Sequence, residues 1–263
     1  MTQPLFLRST MHEKIWGGNR LKEAFGYEIP SQQTGEFWAI SAHPNGCSVI
    51  HQGSYEGMRL DDLYELHPEL FGNPDQEKFP LLVKILDAND WLSVQVHPDD
   101  AFGLANEGEY GKTECWYILE ADPGAEIIYG HKATSKDQLD QLIDQQDWDG
   151  LLRKVSVKKG DFFFVPSGTI HAIGPGILIL EIQQSSDTTY RIYDFDRKDA
   201  NDQLRELHLD KAKQVISVDN PVAEPQVVTE EAGARMTQLV TSDFFTVEKW
   251  EISESARLDL QNH

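Results

Sequence analysis

The chain has 263 residues, of which 40% are hydrophobic and 25% charged, a composition typical of a globular protein with one sizeable core or two small ones. Its 44 acidic and 23 basic residues give a formal net charge of -21, which disfavours binding to nucleic acid or to an anionic membrane surface. With two cysteines and no CxxC pair, the sequence excludes a disulfide framework and a cysteine-rich zinc site.

The N-terminus, MTQPLFLRST, lacks the apolar segment of a signal peptide, and no stretch is long enough to span a bilayer. We therefore expect a cytoplasmic protein in a reducing compartment. Small anionic ligands stay compatible with the overall charge if a local basic pocket overrides it.

Short apolar runs separated by Gly, Pro, Asn and Asp predict β-strands along most of the chain. In chain order these runs are FWAIS, SVI, LLVKIL, LSVQV, ECWYIL, EIIYG, VSV, DFFFV, LILEIQQ, TYRIYDF and FTVEKWEI. Many short strands with few helices favour a mainly β, antiparallel barrel or sandwich.

Three segments among the strands have helical patterns. Residues 60–70 form a short, ambiguous one. In the second, Ser135 and Gln138 make a capping box, and Leu139, Leu142 and Ile143 follow on one helical face. The third helix is predicted over residues 202–218, and the stretch NPVAEPQ at 220–226 then suggests a boundary.

The stretch SVQVHPDD, residues 93–100, places two polar side chains two residues apart in an apolar run. Because a strand has a period of two, Gln95 and His97 lie on one face while Val94 and Val96 lie on the other. The pair by itself is equally compatible with polar groups hydrogen-bonded in a core.

The stretch GDFFFVPSGTIH contains Gly160, Pro166, Gly168 and His171 at fixed spacings. Pro and Gly allow a tight turn after a strand, and the His then begins the next strand and faces the interior. This spacing resembles the second signature of the cupin superfamily, small β-barrels that hold a metal ion inside.

Gln95 and His97 stand where the first cupin signature has a His-x-His pair, and Glu114 in GKTECWYIL would supply the carboxylate. Glu114 follows His97 by 17 residues, more than in the compact cupin pattern, so AFGLANEGEYGK is predicted to be an insertion. The Asn that often follows the second signature is absent. With His171, the set of two imidazoles, one carboxylate and one amide suits Zn²⁺, while Fe²⁺ and Mn²⁺ stay open. A single anionic ligand leaves the site positive, which favours Lewis-acid chemistry on an oxygen-rich substrate.

Six stretches, spread in order over about 200 residues, resemble the type I mannose-6-phosphate isomerase family in its short bacterial form. They are KIWGG, FPLLVKILDAND, LSVQVHPDD, GKTECWYIL, VPSGTIHAIG and SSDTTYRIYDFDR. The resemblance implies an aldose-ketose isomerase with one Zn²⁺ per chain that interconverts mannose 6-phosphate and fructose 6-phosphate. It places the metal ligands on Gln95, His97, Glu114 and His171.

The resemblance also implies three catalytic residues. Arg191 matches the family's catalytic arginine, Asp187 the nearby acid, and Lys112 the lysine beside the metal-binding Glu. If both lie in one strand, Asp187 and Arg191 share a face, being four residues apart. Aldose-ketose isomerisation passes through an enediol(ate), whose growing negative charge a metal or guanidinium stabilises. Arg191 and Lys112 could hold the enediolate or the phosphate, and the base could be Lys112, Asp187 or a zinc-bound water.

Each of these basic residues has a simpler interpretation. Arg191 could form a surface ion pair in an acid-rich segment, and Lys112 could be a solvated loop lysine. Lys84 lies in the apolar strand LLVKIL, where a charge needs a partner or a ligand, and a phosphate is one option. Trp16 and Trp38 are expected in the core. The remaining histidines lack ligand spacing and are expected to be surface or core polar residues: His12, His43, His51, His67, His131, His208 and His263.

The family continues beyond a strand like FTVEKWEI into hairpins that complete a second cupin barrel. We therefore expect a catalytic cupin domain with helical insertions over residues 1–218 and a partial second β segment over 219–263. The strand near residues 244–252 is then expected to have an exposed edge.

Two other functions stay open at this point. One is a cupin oxygenase that uses Fe²⁺ with two His and one carboxylate, although a basic pocket and an amide ligand argue against it. The other is a catalytically silent sugar-phosphate-binding protein. A monomer and a homodimer are both compatible with the sequence.

Overall fold

The computed structural model describes residues 4–198, 202–222, 226–231 and 233–253. The strands are β1 (Leu7–Arg8), β2 (Thr10–Gly18), β3 (Thr34–Ser41), β4 (Val49–Ile50), β5 (Leu81–Ala88), β6 (Val94–Val96), β7 (Glu114–Ala121), β8 (Glu126–His131), β9 (Leu152–Ser156), β10 (Phe162–Val165), β11 (His171–Ile173), β12 (Ile177–Gln184), β13 (Tyr190–Tyr193), β14 (Val227–Glu231), β15 (Ala234–Thr241) and β16 (Thr246–Ile252). The helices are α1 (Arg20–Phe25), α2 (Leu60–Leu66), α3 (Asp100–Asn106), α4 (Lys136–Asp144), α5 (Trp148–Leu151) and α6 (Leu209–Val215), with a 3₁₀ helix at Pro68–Phe71.

Two antiparallel sheets face each other. The larger sheet has the strand order β10-β7-β12-β5-β3-β2, and the smaller has the order β13-β6-β11-β8-β9. Apolar side chains from both sheets meet between them, including Trp116 and Ile179 from the larger sheet and Ile127 and Ile173 from the smaller. Burying each such side chain contributes about 1.5–3 kcal/mol. The predicted mainly β, antiparallel cupin-type fold with a few helices is confirmed.

The helix capped by Ser135 is confirmed, with one change in its cap. The Ser135 hydroxyl accepts a hydrogen bond from the Gln138 backbone N–H at 3.2 Å, as a capping box requires. The Gln138 side chain accepts from the backbone N–H of Thr134 at 2.8 Å, one residue before the expected partner. Leu139 and Ile143 are buried, as their spacing predicts. No helix among the described residues is long and apolar enough to cross a membrane.

The helix predicted over residues 202–218 is wrong in its first half. The helix α6 spans only Leu209–Val215, and the described residues before it are not helical. Arg205 explains the difference, because its guanidinium donates to both carboxylate oxygens of Asp194, at 2.7 and 2.5 Å. This tertiary ion pair and the β-bridge of Leu204 with Lys198 override the local helical pattern.

The last three strands form a separate sheet in the order β14-β15-β16. Val240 and Phe245 of this region pack against Cys115 and Phe164 of the larger sheet. Among the described residues β16 pairs only with β15, so the predicted strand edge near 244–252 is present. Parts of the predicted second segment, namely residues 223–225, 232 and 254–263, lie outside the described residues, and the domain boundary at 218 stays a prediction.

Candidate active site

Sheet pairing assembles one wall of the site from distant parts of the sequence. Strand β6 lies between β13 and β11, so Gln95 is in register with Arg191 on one side and His171 on the other. Tyr129 of β8 continues the same row. Cross-strand neighbours on a sheet face the same side, and the smaller sheet thus brings three of the predicted site residues together.

The turn that leads into His171 depends on Gly168. Its φ is +83°, a conformation that favours glycine, and its N–H donates to the carbonyl of His97 at 2.8 Å. A Cβ at this position would lie 2.9 Å from the carbonyl oxygen of Val215. The predicted sequence of strand, tight turn and His at the start of the next strand is therefore what the chain adopts.

Glu114 meets the two imidazoles from the larger sheet. Its Oε2 lies 3.5 Å from His97 Nε2, and its Oε1 lies 3.4 Å from His171 Nε2. One ligand atom from each of these three residues falls within 4.8 Å of the others, and all three residues are buried. The long interval between His97 and Glu114 in the sequence does not separate them in space.

Backbone carbonyls set the proton positions of both imidazoles. His97 Nδ1 is 2.9 Å from the carbonyl of Thr188, and His171 Nδ1 is 2.9 Å from the carbonyl of Thr169. A carbonyl accepts only, so each Nδ1 carries the proton and each Nε2 presents a lone pair toward Glu114. Orientation of a histidine by a second partner in this way is typical of metal ligands.

Glu114 itself lacks hydrogen bonds. Neither carboxylate oxygen accepts one from the described residues, although both are buried and Lys112 Nζ lies 3.2 Å from Oε2. A buried carboxylate with so few donors is costly, and its one cationic partner among the described residues, the Lys112 ammonium, also lies 3.2 Å from His97 Nε2. Two imidazole lone pairs and a free carboxylate match the donor set that a divalent metal ion prefers, so these residues fit such an ion.

Burial keeps both imidazoles neutral. Desolvation lowers the pKa of His171 to about 4, and desolvation together with the nearby Lys112 ammonium lowers the pKa of His97 well below its ordinary value. Burial also acts to lower the pKa of Lys112, but the carboxylates of Glu114 and Glu181 outweigh it and raise that pKa. Neutral imidazoles are the form that binds metal.

Gln95, the fourth predicted ligand, is adjacent to this cluster. Its Nε2 lies 3.3 Å from His171 Nε2, and its Oε1 accepts a hydrogen bond from the Ser93 hydroxyl at 3.3 Å. In this orientation the amide nitrogen faces the imidazole. A half-turn of the amide exchanges the two atoms and presents the oxygen, the atom that a metal would take.

A cavity of about 230 Å³ opens beside the cluster. Five of its lining side chains are basic and three are acidic, in a protein whose formal net charge is -21. Its charged lining residues are Lys14, Glu36, Lys84, Lys112, Glu181, Asp187, Arg191 and Arg205. This local excess of positive charge suits an anionic ligand such as a phosphate ester.

The three predicted catalytic residues all line this cavity, but they lie in different kinds of local structure. Arg191 lies in β13, and its Nη1 donates to the Glu206 carbonyl at 2.8 Å. Asp187 precedes β13, so the expectation that it shares a strand face with Arg191 is wrong. It lies in a turn whose conformation is set by other contacts, and its Oδ2 accepts from the Asn45 amide at 3.0 Å.

A row of charged side chains on the larger sheet was largely missed by sequence reasoning. Lys84 lies 3.6 Å from Glu181 and 4.0 Å from Glu36, and Glu36 lies 3.2 Å from Lys14. Of these four residues, only Lys84 was predicted from the sequence to need a partner or a ligand. Glu181 carries the same signal, an isolated charge in the apolar run LILEIQQ, and desolvation and the Glu114 carboxylate raise its pKa.

Comparison with known protein families gives a match to the catalytic domain of type I phosphomannose isomerase over residues 5–127. A mannose-6-phosphate isomerase of Streptococcus mutans is 61% identical over 258 residues, which cover 98% of this chain and 82% of the relative. One of Bacillus subtilis is 54% identical, over 99% of this chain and 83% of the relative.

Solved structures agree with these relatives. The crystal structure of a mannose 6-phosphate isomerase from Bacillus subtilis superposes with a TM-score of 0.92 at 48% identity, over 95% of this chain and 81% of that one. A phosphomannose isomerase structure from Salmonella typhimurium has a TM-score of 0.73 at 17% identity, over 93% of this chain and 82% of that one. At that lower identity the likeness concerns the fold.

Proposed function

The chain belongs to the type I phosphomannose isomerases and is therefore an aldose-ketose isomerase, and we propose that it interconverts mannose 6-phosphate and fructose 6-phosphate with one Zn²⁺ per chain. Its proposed ligands are Gln95, His97, Glu114 and His171. The observation that carries this proposal is the buried Glu114 carboxylate, which lacks hydrogen bonds and lies between two oriented imidazoles at the edge of a basic cavity.

The donor set supports zinc as the metal. Two neutral imidazoles, a carboxylate and an amide oxygen are nitrogen and oxygen ligands of the kind that Zn²⁺ accepts. When bound there, the ion would supply Lewis-acid chemistry, polarising a sugar oxygen and stabilising negative charge on it.

The residues around the cavity divide the remaining work. Isomerisation moves a proton between C2 and C1 of the sugar, and negative charge develops on the oxygens as the enediolate forms. Arg191 and Lys112, as cations lining the cavity, stabilise this charge or hold the phosphate. Both kinds of contact are strongest in a site that excludes water, and Lys112 is buried.

Asp187 is the proposed proton carrier. Of the three acidic side chains that line the cavity, Glu36 and Glu181 have contacts at both oxygens, from Trp38 and Lys14 and from Trp116 and Lys84. Asp187 accepts from Asn45 through Oδ2, which leaves Oδ1 for the substrate. A carboxylate in this position can accept a carbon-bound proton and return it to the neighbouring carbon.

The test is turnover by the metal-loaded protein. Wild type incubated with Zn²⁺ and mannose 6-phosphate should form fructose 6-phosphate without consuming O₂, and Arg191→Ala should lower kcat/KM by about 10²-fold or more. Arg235→Ala, which removes an exposed arginine of β15, is the matched control and should leave turnover unchanged. Bound metal without turnover would indicate a silent sugar-phosphate-binding protein, and O₂ consumption would indicate an oxygenase.

Proton transfer has its own readout. With mannose 6-phosphate deuterated at C2, the wild type should release deuterium to solvent or pass it to C1. Asp187→Asn should lower kcat by about 10²–10⁴-fold. An Asp187→Asn variant that transfers or exchanges this deuterium at the wild-type rate would show that another group moves the proton.

A further inference from the structure

Apart from Lys112 at its end, the predicted insertion between His97 and Glu114 has no part in the site described above. Together with Asp100, the first residue of helix α3, it forms a segment over residues 100–112 that consists of this helix and the loop that follows it. A spacing longer than the compact cupin pattern adds backbone whose ordering costs free energy. The side-chain contacts of this segment show what it does.

Glu109 of this segment binds the turn at residues 186–188. Its Oε2 accepts hydrogen bonds from the Asp187 backbone N–H at 3.0 Å, the Thr188 hydroxyl at 2.9 Å and the Ser186 hydroxyl at 3.1 Å. One carboxylate oxygen thus holds three successive residues of a turn. Hydrogen bonds to an ionised acceptor are roughly twice as strong as those between neutral groups.

The other oxygen of Glu109 is held by a buried histidine. His43 Nε2 lies 3.2 Å from Glu109 Oε1, and His43 Nδ1 accepts from the Asn45 backbone N–H at 3.2 Å. Since Nδ1 is an acceptor, Nε2 carries the proton and donates it to Glu109. The loop between β3 and β4 therefore helps to fix the position of Glu109 through the oxygen that does not contact the turn.

The turn at 186–188 contacts a proposed metal ligand and also contributes a side chain to the cavity. The Thr188 carbonyl accepts from His97 Nδ1 at 2.9 Å, which sets the orientation and tautomer of that imidazole. The Asp187 side chain lines the cavity. Anything that fixes this turn fixes a candidate metal ligand and the candidate proton carrier together.

Two further acids of the segment hold the chain on either side of this turn. Asp100 Oδ1 accepts from the Gln184 side chain at 2.9 Å and from the Gly111 backbone N–H at 2.7 Å. Glu107 Oε1 accepts from the Tyr190 hydroxyl at 2.8 Å. The segment thus binds the end of β12, the turn and the start of β13.

We propose that Asp100, Glu107 and Glu109 brace this turn, with Glu109 as the positioning residue that holds Asp187 and orients His97 through Thr188. The inference rests on the proposed function for what the two braced residues do. It gives a role to the long interval between His97 and Glu114, since Glu109 lies in that interval and reaches the turn.

The main test is Glu109→Ala in the full chain loaded with Zn²⁺. Loss of an outer partner of a metal site lowers activity or metal affinity by about 10–100-fold. We expect kcat to fall by about that factor, while KM changes by less than roughly threefold because the basic residues of the cavity do not contact Glu109. Competition with a chelator should also show Zn²⁺ bound about tenfold more weakly.

Two variants serve as controls. Asn106→Ala alters the same segment, where the Asn106 amide donates to the Phe102 carbonyl within α3, and should leave kcat and Zn²⁺ affinity within about twofold of wild type. Glu109→Gln keeps one acceptor oxygen and the side-chain shape, so its kcat should lie between those of wild type and Glu109→Ala. A role limited to stability would not produce this order in kcat.

The result that overturns the brace is a folded Glu109→Ala with wild-type kcat and wild-type Zn²⁺ affinity. If that variant does not fold, Thr188→Val, which removes one donor to Glu109 and keeps the carbonyl, takes its place together with Glu109→Gln. Wild-type kcat and wild-type Zn²⁺ affinity in both Thr188→Val and Glu109→Gln would also overturn the proposed brace. Failure of the wild type to isomerise mannose 6-phosphate would refute the proposed function, while the chelator competition would still test the brace.

Discussion

Two buried carboxylates of the larger sheet differ in how their charge is compensated. Glu36 is 7% exposed and accepts from the Trp38 indole at 2.7 Å, with Lys14 at 3.2 Å and Lys84 at 4.0 Å. Glu114 is 0% exposed, and both its oxygens lack hydrogen bonds from the described residues. The two carboxylates are thus buried to a similar extent, but within the part of the chain that the structure describes only Glu36 accepts a hydrogen bond from a neighbouring side chain.

The difference distinguishes a structural charge from a binding site. Burial by itself would raise the pKa of Glu36, but Lys84 and Lys14 lower it to about 2, so the folded protein stabilises the ionised form. Around Glu114 the nearest groups are two imidazoles that present lone pairs and the single cation Lys112. A carboxylate left in this state is ready for a further cation, whereas Glu36 is already saturated.

The largest expected effect comes from removing the charge of the unsatisfied carboxylate. Glu114→Gln should lower the Zn²⁺ content to near zero and kcat by about 10³-fold or more, because it removes the anionic ligand. Wild type at a Zn²⁺ concentration 100 times Kd should gain about 2.7 kcal/mol in free energy of unfolding, and the variant should gain none. Metal analysis and thermal unfolding with and without Zn²⁺ measure both. A variant that still binds one Zn²⁺ would contradict the ligand assignment.

Removing Lys84, the cation between Glu36 and Glu181, should lower stability and leave metal binding unchanged. Lys84→Ala leaves Glu36 and Glu181 buried without their shared cation, which should lower the free energy of unfolding by about 3–5 kcal/mol. Denaturant unfolding of the metal-free protein measures this loss, and the Zn²⁺ content should stay at the wild-type level. The double variant Lys84→Met with Glu181→Gln removes opposite charges together and should lose less. A loss of free energy of unfolding below about 1 kcal/mol in Lys84→Ala would mean that this cation does not stabilise the two buried carboxylates.

The stabilisation by Glu36 should depend on pH in a defined direction. Its pKa is lowered from 4.5 to about 2 in the folded protein, so its contribution is fully present above about pH 4.5 and is lost as pH falls toward 2. Glu36→Gln should therefore be less stable than wild type by roughly 3 kcal/mol near neutral pH, with a difference that shrinks below pH 4.5. Urea unfolding of the metal-free proteins at several pH values between 7 and 3.5 measures it. A difference that grows on acidification would refute the assignment.

The smallest effect is expected from a substitution in α4, away from both Glu36 and Glu114, and it serves as a reference for the other variants. Ser135→Ala removes the hydroxyl that caps α4, which should cost about 1 kcal/mol in the free energy of unfolding. Since α4 contributes no residue to the cavity, kcat and Zn²⁺ content should match wild type. Loss of activity here would show that modest destabilisation alone reduces turnover, and the variants above would then need correction for it.

Local periodicity predicted most of the strands, because alternation of apolar and polar residues and the positions of Gly and Pro depend only on neighbours in the chain. Each of the eleven predicted runs overlaps an observed strand. The helix predicted over 202–218 was too long because Arg205 forms a tertiary ion pair that no local pattern contains. Helices α1, α3 and α5 were not predicted, being only four to seven residues long.

By itself the sequence determined the cupin-type strands, the pair Gln95 and His97, and the turn through Gly168 that delivers His171, because a strand period of two and a glycine turn are local geometry. Only the tertiary structure decided which distant groups meet. The contacts of Lys84 with Glu36 and Glu181, and of Glu109 with the turn at 186–188, depend on strand order, register and loop packing. Core packing sets these features, and they are not written in any single window of the chain.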